Sequence, residues 1–137
     1  MPAKILFVDD DPVLNYAISR LLTAAGFSVI RARNGTEALQ FSKTEAPVVA
    51  ILDIRLPDIN GFDLCAELKK NPATAHMPVI FHTATSSTPE NMARAKECGA
   101  AEFLTYPIDS DALVATVRRH IPTDPGNPEL GKRAKSS

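Results

Sequence analysis

Two short apolar runs in this chain each end in acid. Lys4-Ile-Leu-Phe-Val8 runs directly into Asp9, Asp10 and Asp11, and Val48-Val-Ala-Ile-Leu52 runs directly into Asp53. If both runs are strands of one sheet, carboxylates from two strands meet at one sheet end. Carboxylate oxygens and water suit Mg²⁺, which takes few protein ligands and keeps positions open for phosphate oxygens. Crowded acids repel one another unless a cation compensates. An aspartate can also attack phosphorus and hold the phosphoryl group as an acyl phosphate, with Mg²⁺ neutralising the developing charge. Asp11 precedes Pro12 and reads as a helix cap.

Other chemistries find less support. There is no G-x-G-x-x-G and no P-loop, so dinucleotide and nucleoside-triphosphate binding lose their usual signature. No Ser/His/Asp arrangement emerges. His76 falls in a loop, His82 within a strand and His120 near a helix end, and each reads as packing or surface. Cys65 and Cys98 read as two reduced thiols on helices, too few for a disulfide framework and too scattered for a zinc site.

The elements that must position the acids alternate in type. Pro12 opens a helix in which Val13, Leu14, Ala17, Ile18, Leu21, Leu22 and Ala25 recur at helical spacing before Gly26. Phe27–Ala32 reads as a strand, and Asn34-Gly35 caps a short helix to about Lys43. Leu56–Gly61 is a loop by its turn residues, followed by a helix carrying Phe62, Leu64, Cys65 and Leu68 and ended by Asn71-Pro72. Pro78–Thr83 is the fourth strand. Thr88-Pro89-Glu90 opens a weakly amphipathic helix closed by Gly99. Glu102–Thr105 is the fifth strand, and Asp109 caps a last helix with Leu113, Val114, Val117 and Ile121 on one face. Five β-then-α units predict an α/β fold, a doubly wound parallel sheet with helices on both faces. Ligands bind such sheets beyond the carboxyl ends of the strands.

Val8–Pro12, Ile51-Leu52-Asp53-Ile54-Arg55-Leu56-Pro57-Asp58-Ile59-Asn60-Gly61 and Pro78–Ala84, taken in order, resemble the receiver domain of two-component response regulators. The resemblance covers residues 3–121. It implies a flavodoxin-like (βα)5 fold, a five-stranded parallel sheet in order 2-1-3-4-5, and phosphoryl transfer from a phosphohistidine on a sensor histidine kinase or phosphotransfer protein. By that resemblance Asp53 is the phosphoacceptor. Asp10 and Asp53 bind Mg²⁺ (or Mn²⁺) directly with the backbone carbonyl of Arg55, and Asp9 assists. Thr83 is the switch hydroxyl and Phe103 the switch aromatic. Arg55 and Thr85 stand where the family tunes dephosphorylation. The partner surface is the face of the fourth helix, fifth strand and fifth helix, where Met92, Ala95, Phe103 and Tyr106 are expected.

One position departs from the family. A lysine is expected before the proline after the fifth strand, and the pair here is Tyr106-Pro107, in a turn whose peptide bond is usually cis. A lysine would place a fixed charge on the phosphoryl group, whereas a tyrosine hydroxyl offers one neutral donor. Arg55 is a candidate replacement, against a solvent-facing alternative. Three functions therefore compete. The first is a phosphorylatable switch, passing its state to an effector, an output domain or a second copy in a homodimer. The second is a pseudo-receiver that binds proteins without phosphate. The third is a Mg²⁺-dependent phosphohydrolase, which lacks its D-x-D because Asp53-Ile54-Arg55 breaks that pattern.

Composition narrows the classes further. The chain has 137 residues, about one domain's worth. Fifteen Lys+Arg against sixteen Asp+Glu leave −1, so bulk charge gives no affinity for nucleic acid. Apolar residues reach 45%, enough for one core, and no run is long enough to span a membrane. A cytoplasmic location is expected. Residues 122–137, rich in Pro with Lys132, Arg133 and Lys135, read as a disordered tail or linker.

Overall fold

The computed structural model describes residues 2–84 and 88–121; Thr85 and the expected tail at 122–137 lie outside the described residues. Strands and helices alternate as β1 (Lys4–Val8), α1 (Pro12–Ala24), β2 (Ser28–Ala32), α2 (Gly35–Thr44), β3 (Val49–Asp53), α3 (Gly61–Lys70), β4 (Val79–Thr83), α4 (Pro89–Glu97), β5 (Glu102–Thr105) and α5 (Ser110–His120). The strands pair in parallel in the order β2-β1-β3-β4-β5, as the family resemblance implied. Element ends fall within a residue or two of expectation.

The central strands are apolar throughout because helices cover both sheet faces. Side chains alternate along each strand. Leu6, Val8, Ala50, Leu52, Val79 and Phe81 meet α2, α3 and α4 through Ala38, Leu64, Leu68 and Ala95. Ile5, Phe7, Val49, Ile51, Ile80 and Leu104 meet α1 and α5 through Ile18, Leu22, Leu113 and Val117. The stripe of α1 differs from expectation. Val13 is 76% exposed and Ala17 also faces out, while the polar Asn15 and Ser19 are buried beside Ile18 and Leu22. The reason is a polar network under the acidic loop, described below.

Each helix start is satisfied by a side chain. Asp11 accepts from the Val13 and Leu14 amides, Asn34 from Glu37, Asn60 from Phe62, Thr88 from Asn91 and Asp109 from Ala112. Helix α4 is the most lightly anchored, burying Ala95 alone. Ala95 is buried at the base of a groove that Met92 and Phe103 also line. Cys65 is buried in α3, and Cys98 forms the C-cap of α4. Among the described residues no helix is long and apolar enough to cross a membrane.

Candidate metal centre

The carboxyl ends of β1 and β3 adjoin in the sheet, so Asp9 and Asp10, just past β1, stand beside Asp53, the last residue of β3. One oxygen from each of Asp9, Asp10 and Asp53 lies within 4.8 Å of the others. Asp9 is buried, Asp53 half-buried and Asp10 exposed. The surrounding cavity of about 220 Å³ is also lined by Arg55, His82 and Thr83.

Local structure holds these acids in place. The Asp9 amide extends the β1–β2 ladder to the Ala32 carbonyl, and an Asp9 carboxylate oxygen accepts from the Asp11 amide at 2.8 Å. Below them Asn15 uses its whole amide. Its Nδ2 donates to the carbonyls of Asp9 (2.9 Å) and Ala32 (3.1 Å), and its Oδ1 accepts from Arg31 Nε (2.8 Å) and Ser19 Oγ (3.3 Å). On the other side the β3–α3 loop is clamped twice. The Asp58 carboxylate accepts from the amides of Gly35 and Thr36 and from the Thr36 hydroxyl, at the start of α2. Gly61 donates to the Ile54 carbonyl at 2.8 Å, and a Cβ at Gly61 would collide with the Asp53 backbone carbonyl. Only glycine lets α3 start this close to the end of β3.

Burial sets the electrostatics. It pushes the Asp9 carboxyl up to about 7, helped by Asp53 and Asp10 and opposed by the Asp11 amide. It pushes Asp53 up to about 6, opposed by the amides of Arg55 and Ile54. Among the described residues no lysine or arginine forms an ion pair with these acids. A hard, oxygen-only donor set whose charges are costly unpaired fits Mg²⁺ or Mn²⁺.

The other expected site residues divide. Thr83 is buried and lines the cavity. Arg55 also lines it, with an exposed side chain whose charge lowers the Asp53 pKa. Phe103 is half-buried against the α4-side core and borders a separate groove with Met92 and Ala95. Tyr106 follows β5, pairs its amide with the Thr83 carbonyl, and precedes a cis bond to Pro107. Its ring packs on the α1/α5 side, and its hydroxyl is buried beneath the cavity, which it does not line. Burial, then Asp9 and Asp53, hold that hydroxyl far above its ordinary range, so it stays a neutral phenol.

Sequence reasoning passed over three residues of this site. His82 reads from sequence as packing or surface; it is fully buried, and Nε2 lies 3.3 Å from the Val8 carbonyl and 3.6 Å from Asp9 Oδ2. Burial lowers its pKa to about 4. The available signal was register, because His82 lies opposite Asp53 in the β3–β4 pairing. Asn15 carried a signal too, as a polar residue spaced onto the same helical face as Ile18 and Leu22. Gly61 reads from sequence only as a turn residue closing the loop before α3.

The family model described as the response regulator receiver domain matches residues 5–118. Protein PilH of Pseudomonas aeruginosa is 35% identical over 115 residues, covering 84% of this chain and 94% of PilH. The transcriptional regulatory protein GlrR of Escherichia coli is 39% identical over 116 residues, covering 85% of this chain. The chain spans only 26% of GlrR. Among solved structures, chemotaxis response regulator CheY4 of Vibrio cholerae superposes with a TM-score of 0.81 at 28% identity, covering 88% of this chain and all of that one. A receiver domain protein from Clostridium thermocellum gives 0.79 at 32% identity, covering 87% and 94%.

Proposed function

The chain belongs to the response regulator receiver family, and from that footing we propose that it is a phosphoacceptor switch working through Asp53. The supporting observation is the triad of Asp9, Asp10 and Asp53, three carboxylates within 4.8 Å at the ends of adjacent strands. The Asp53 oxygen attacks the phosphorus of a phosphohistidine on a sensor kinase or phosphotransfer protein. The P–N bond breaks, the imidazole leaves, and an acyl phosphate remains. Asp9, Asp10, Asp53 and the Arg55 carbonyl would hold Mg²⁺ or Mn²⁺. When bound, the cation neutralises charge on the phosphoryl oxygens. The Thr83 hydroxyl turns onto the phosphoryl group, Phe103 follows it, and the face of α4, β5 and α5 changes its affinity for an effector, an output domain or a second copy. Residues 3–121 are the unit that does this, in the cytoplasm. Self-phosphorylation from small donors and self-dephosphorylation are the most enzymatic steps assigned to it.

The burial of the Tyr106 hydroxyl beneath the cavity favours one competing reading. Without a cation there, the domain is a pseudo-receiver that binds partners independently of phosphate. Intact-mass measurement after incubation with acetyl phosphate and Mg²⁺ separates the two. The switch predicts one added phosphoryl group, absent in Asp53→Asn. No addition from acetyl phosphate or from a phosphorylated histidine kinase overturns it in favour of the pseudo-receiver.

A further inference from the structure

Beneath Asp9 lie two buried side-chain atoms without a hydrogen-bond partner among the described residues, Nδ1 of His82 and the hydroxyl of Tyr106. Such atoms are rare in folded proteins, and each calls for an explanation. These two belong to neighbouring rings. His82 and Tyr106 meet edge to face, with centroids 5.3 Å apart and planes at 70°. His82 also stacks on Phe7 at 4.9 Å, so the imidazole touches two aromatic rings.

The surroundings decide its tautomer. Nε2 faces two oxygens, the Val8 carbonyl at 3.3 Å and Asp9 Oδ2 at 3.6 Å. A bare ring nitrogen there would set its lone pair against the Val8 carbonyl, which can only accept, whereas an N–H donates to it. A neutral imidazole has one donor and one acceptor, so Nδ1 is the acceptor. The buried group beside it that can still donate is the Tyr106 hydroxyl.

We propose that the Tyr106 hydroxyl donates to His82 Nδ1 while His82 Nε2–H donates to the Val8 carbonyl, so that the two rings form a neutral relay that fixes the backbone carrying the adjacent Asp9 carboxylate. The two rings are already in edge-to-face contact. One hydrogen bond then satisfies both orphaned atoms. Tyr106 acts through His82 and not in the cavity, which makes both of them positioning residues. The value of this relay to metal binding rests on the proposed role of Asp9; the hydrogen bond itself does not.

Long-range ¹H–¹⁵N correlation NMR of the metal-free chain at neutral pH tests the relay, with His76 and His120 as internal references. His82 is expected as the Nε2–H tautomer with a hydrogen-bonded Nδ1. Tyr106→Phe keeps the ring and should move the Nδ1 resonance to the position of a free imine nitrogen. An Nδ1–H tautomer, or an Nδ1 resonance unmoved by Tyr106→Phe, overturns the proposal. A Mg²⁺ titration adds a second arm. His82→Leu should weaken Mg²⁺ about tenfold, in line with the loss of groups that orient metal ligands. Tyr106→Phe should weaken it in the unsubstituted chain and add nothing in the His82→Leu background; independent, additive effects overturn the relay. If the unsubstituted chain takes up no Mg²⁺, the proposed function fails and the NMR arm alone decides the relay. It decides likewise if His82→Leu does not fold.

Discussion

The strand ends that carry Asp9 and Asp53 are tied to three helices, whereas helix α4 is held lightly. The β1 and β3 ends are tied by Asn15, Asp58 and Gly61 to α1, α2 and α3. The α4 side has a helix that buries Ala95 alone, beside a groove lined by Met92, Lys96 and Phe103. The contrast matches what the two halves are proposed to do. Acids that hold a cation must not drift, because misplaced ligands lose affinity. A surface that reports phosphorylation must have a second arrangement within reach, and such elements come from the low-stability end of a fold. The two halves should therefore respond differently to the same kind of damage.

Glycine substitutions give the largest contrast. Gly61→Ala forces a methyl group into the Asp53 carbonyl, where only backbone can yield. Overpacking against immovable atoms should cost about 3 kcal/mol and slow phosphorylation of Asp53 sharply. Gly99, after α4, has φ +91°, but an added Cβ would meet nothing closer than Lys69 Cε at 3.7 Å. Gly99→Ala should cost about 1 kcal/mol from left-handed backbone alone and leave the rate of phosphorylation unchanged. Urea denaturation and phosphorylation rates of both variants measure this. Equal losses of rate would break the distinction between a rigid and a loose half.

Asn15→Leu keeps the branching of the side chain and removes its four hydrogen bonds. The Asp9 carbonyl and Arg31 Nε lose partners, so about 2 kcal/mol of stability should go. Mg²⁺ affinity should fall with it, because the β1–α1 loop loses its anchor. Retained affinity in a folded Asn15→Leu protein would show that the network supports α1 and not the acids.

These two sites also mark the limit of what was legible in the sequence. The alternation of strands and helices, the acids and the helix caps were readable because each follows from local pattern: apolar runs ending in Asp, and Asp, Asn or Thr before helical spacing; the strand order came from the family resemblance. The family motifs then assigned roles. The role of Asn15 was hidden because periodicity says which face a residue lies on and not what it meets there. Gly61 was hidden because its constraint comes from a carbonyl eight residues earlier in the chain. His82 looked like core and is core, yet register alone brings it to Asp9. The outward turn of Val13 has the same cause as the inward turn of Asn15, since a polar network claims the inner face of that turn.

Protons should sharpen the contrast at smaller amplitude. Asp9 and Asp53 titrate in the folded chain near 7 and 6, above their ordinary 3.8. Between pH 4 and 7 the folded chain therefore keeps protons that the unfolded chain has released, and stability falls as pH rises through that window. His82 works the other way. Lowered from 6.5 to about 4, it makes stability rise between those values. Two acids against one imidazole leave a net decline in metal-free stability toward neutral pH. Mg²⁺ must displace the protons on Asp9 and Asp53, so its stabilising effect should grow from pH 5.5 to 8. Thermal melts with and without Mg²⁺ at both pH values test this, and a Mg²⁺ effect equal at the two would refute the titration of this pair.

The smallest effect should be the most local. Thr88 caps α4 by accepting from the Asn91 amide at 3.1 Å. Removing such a cap costs about 1 kcal/mol of helix stability. If α4 is a lightly held element, Thr88→Ala spends that loss on local opening and changes little elsewhere. Hydrogen exchange should quicken several-fold at the amides of 89–98 while those of β1, β3 and α3 keep their protection, and Mg²⁺ affinity should not change. Asp109→Ala at the start of α5 is the matched comparison, because α5 buries Leu113, Thr116 and Val117 in the α1-side core. There the loss of a cap should register as global destabilisation. Local opening in both helices would mean that the looseness belongs to the whole outer face, and global loss in both would mean that α4 is as firmly seated as the rest.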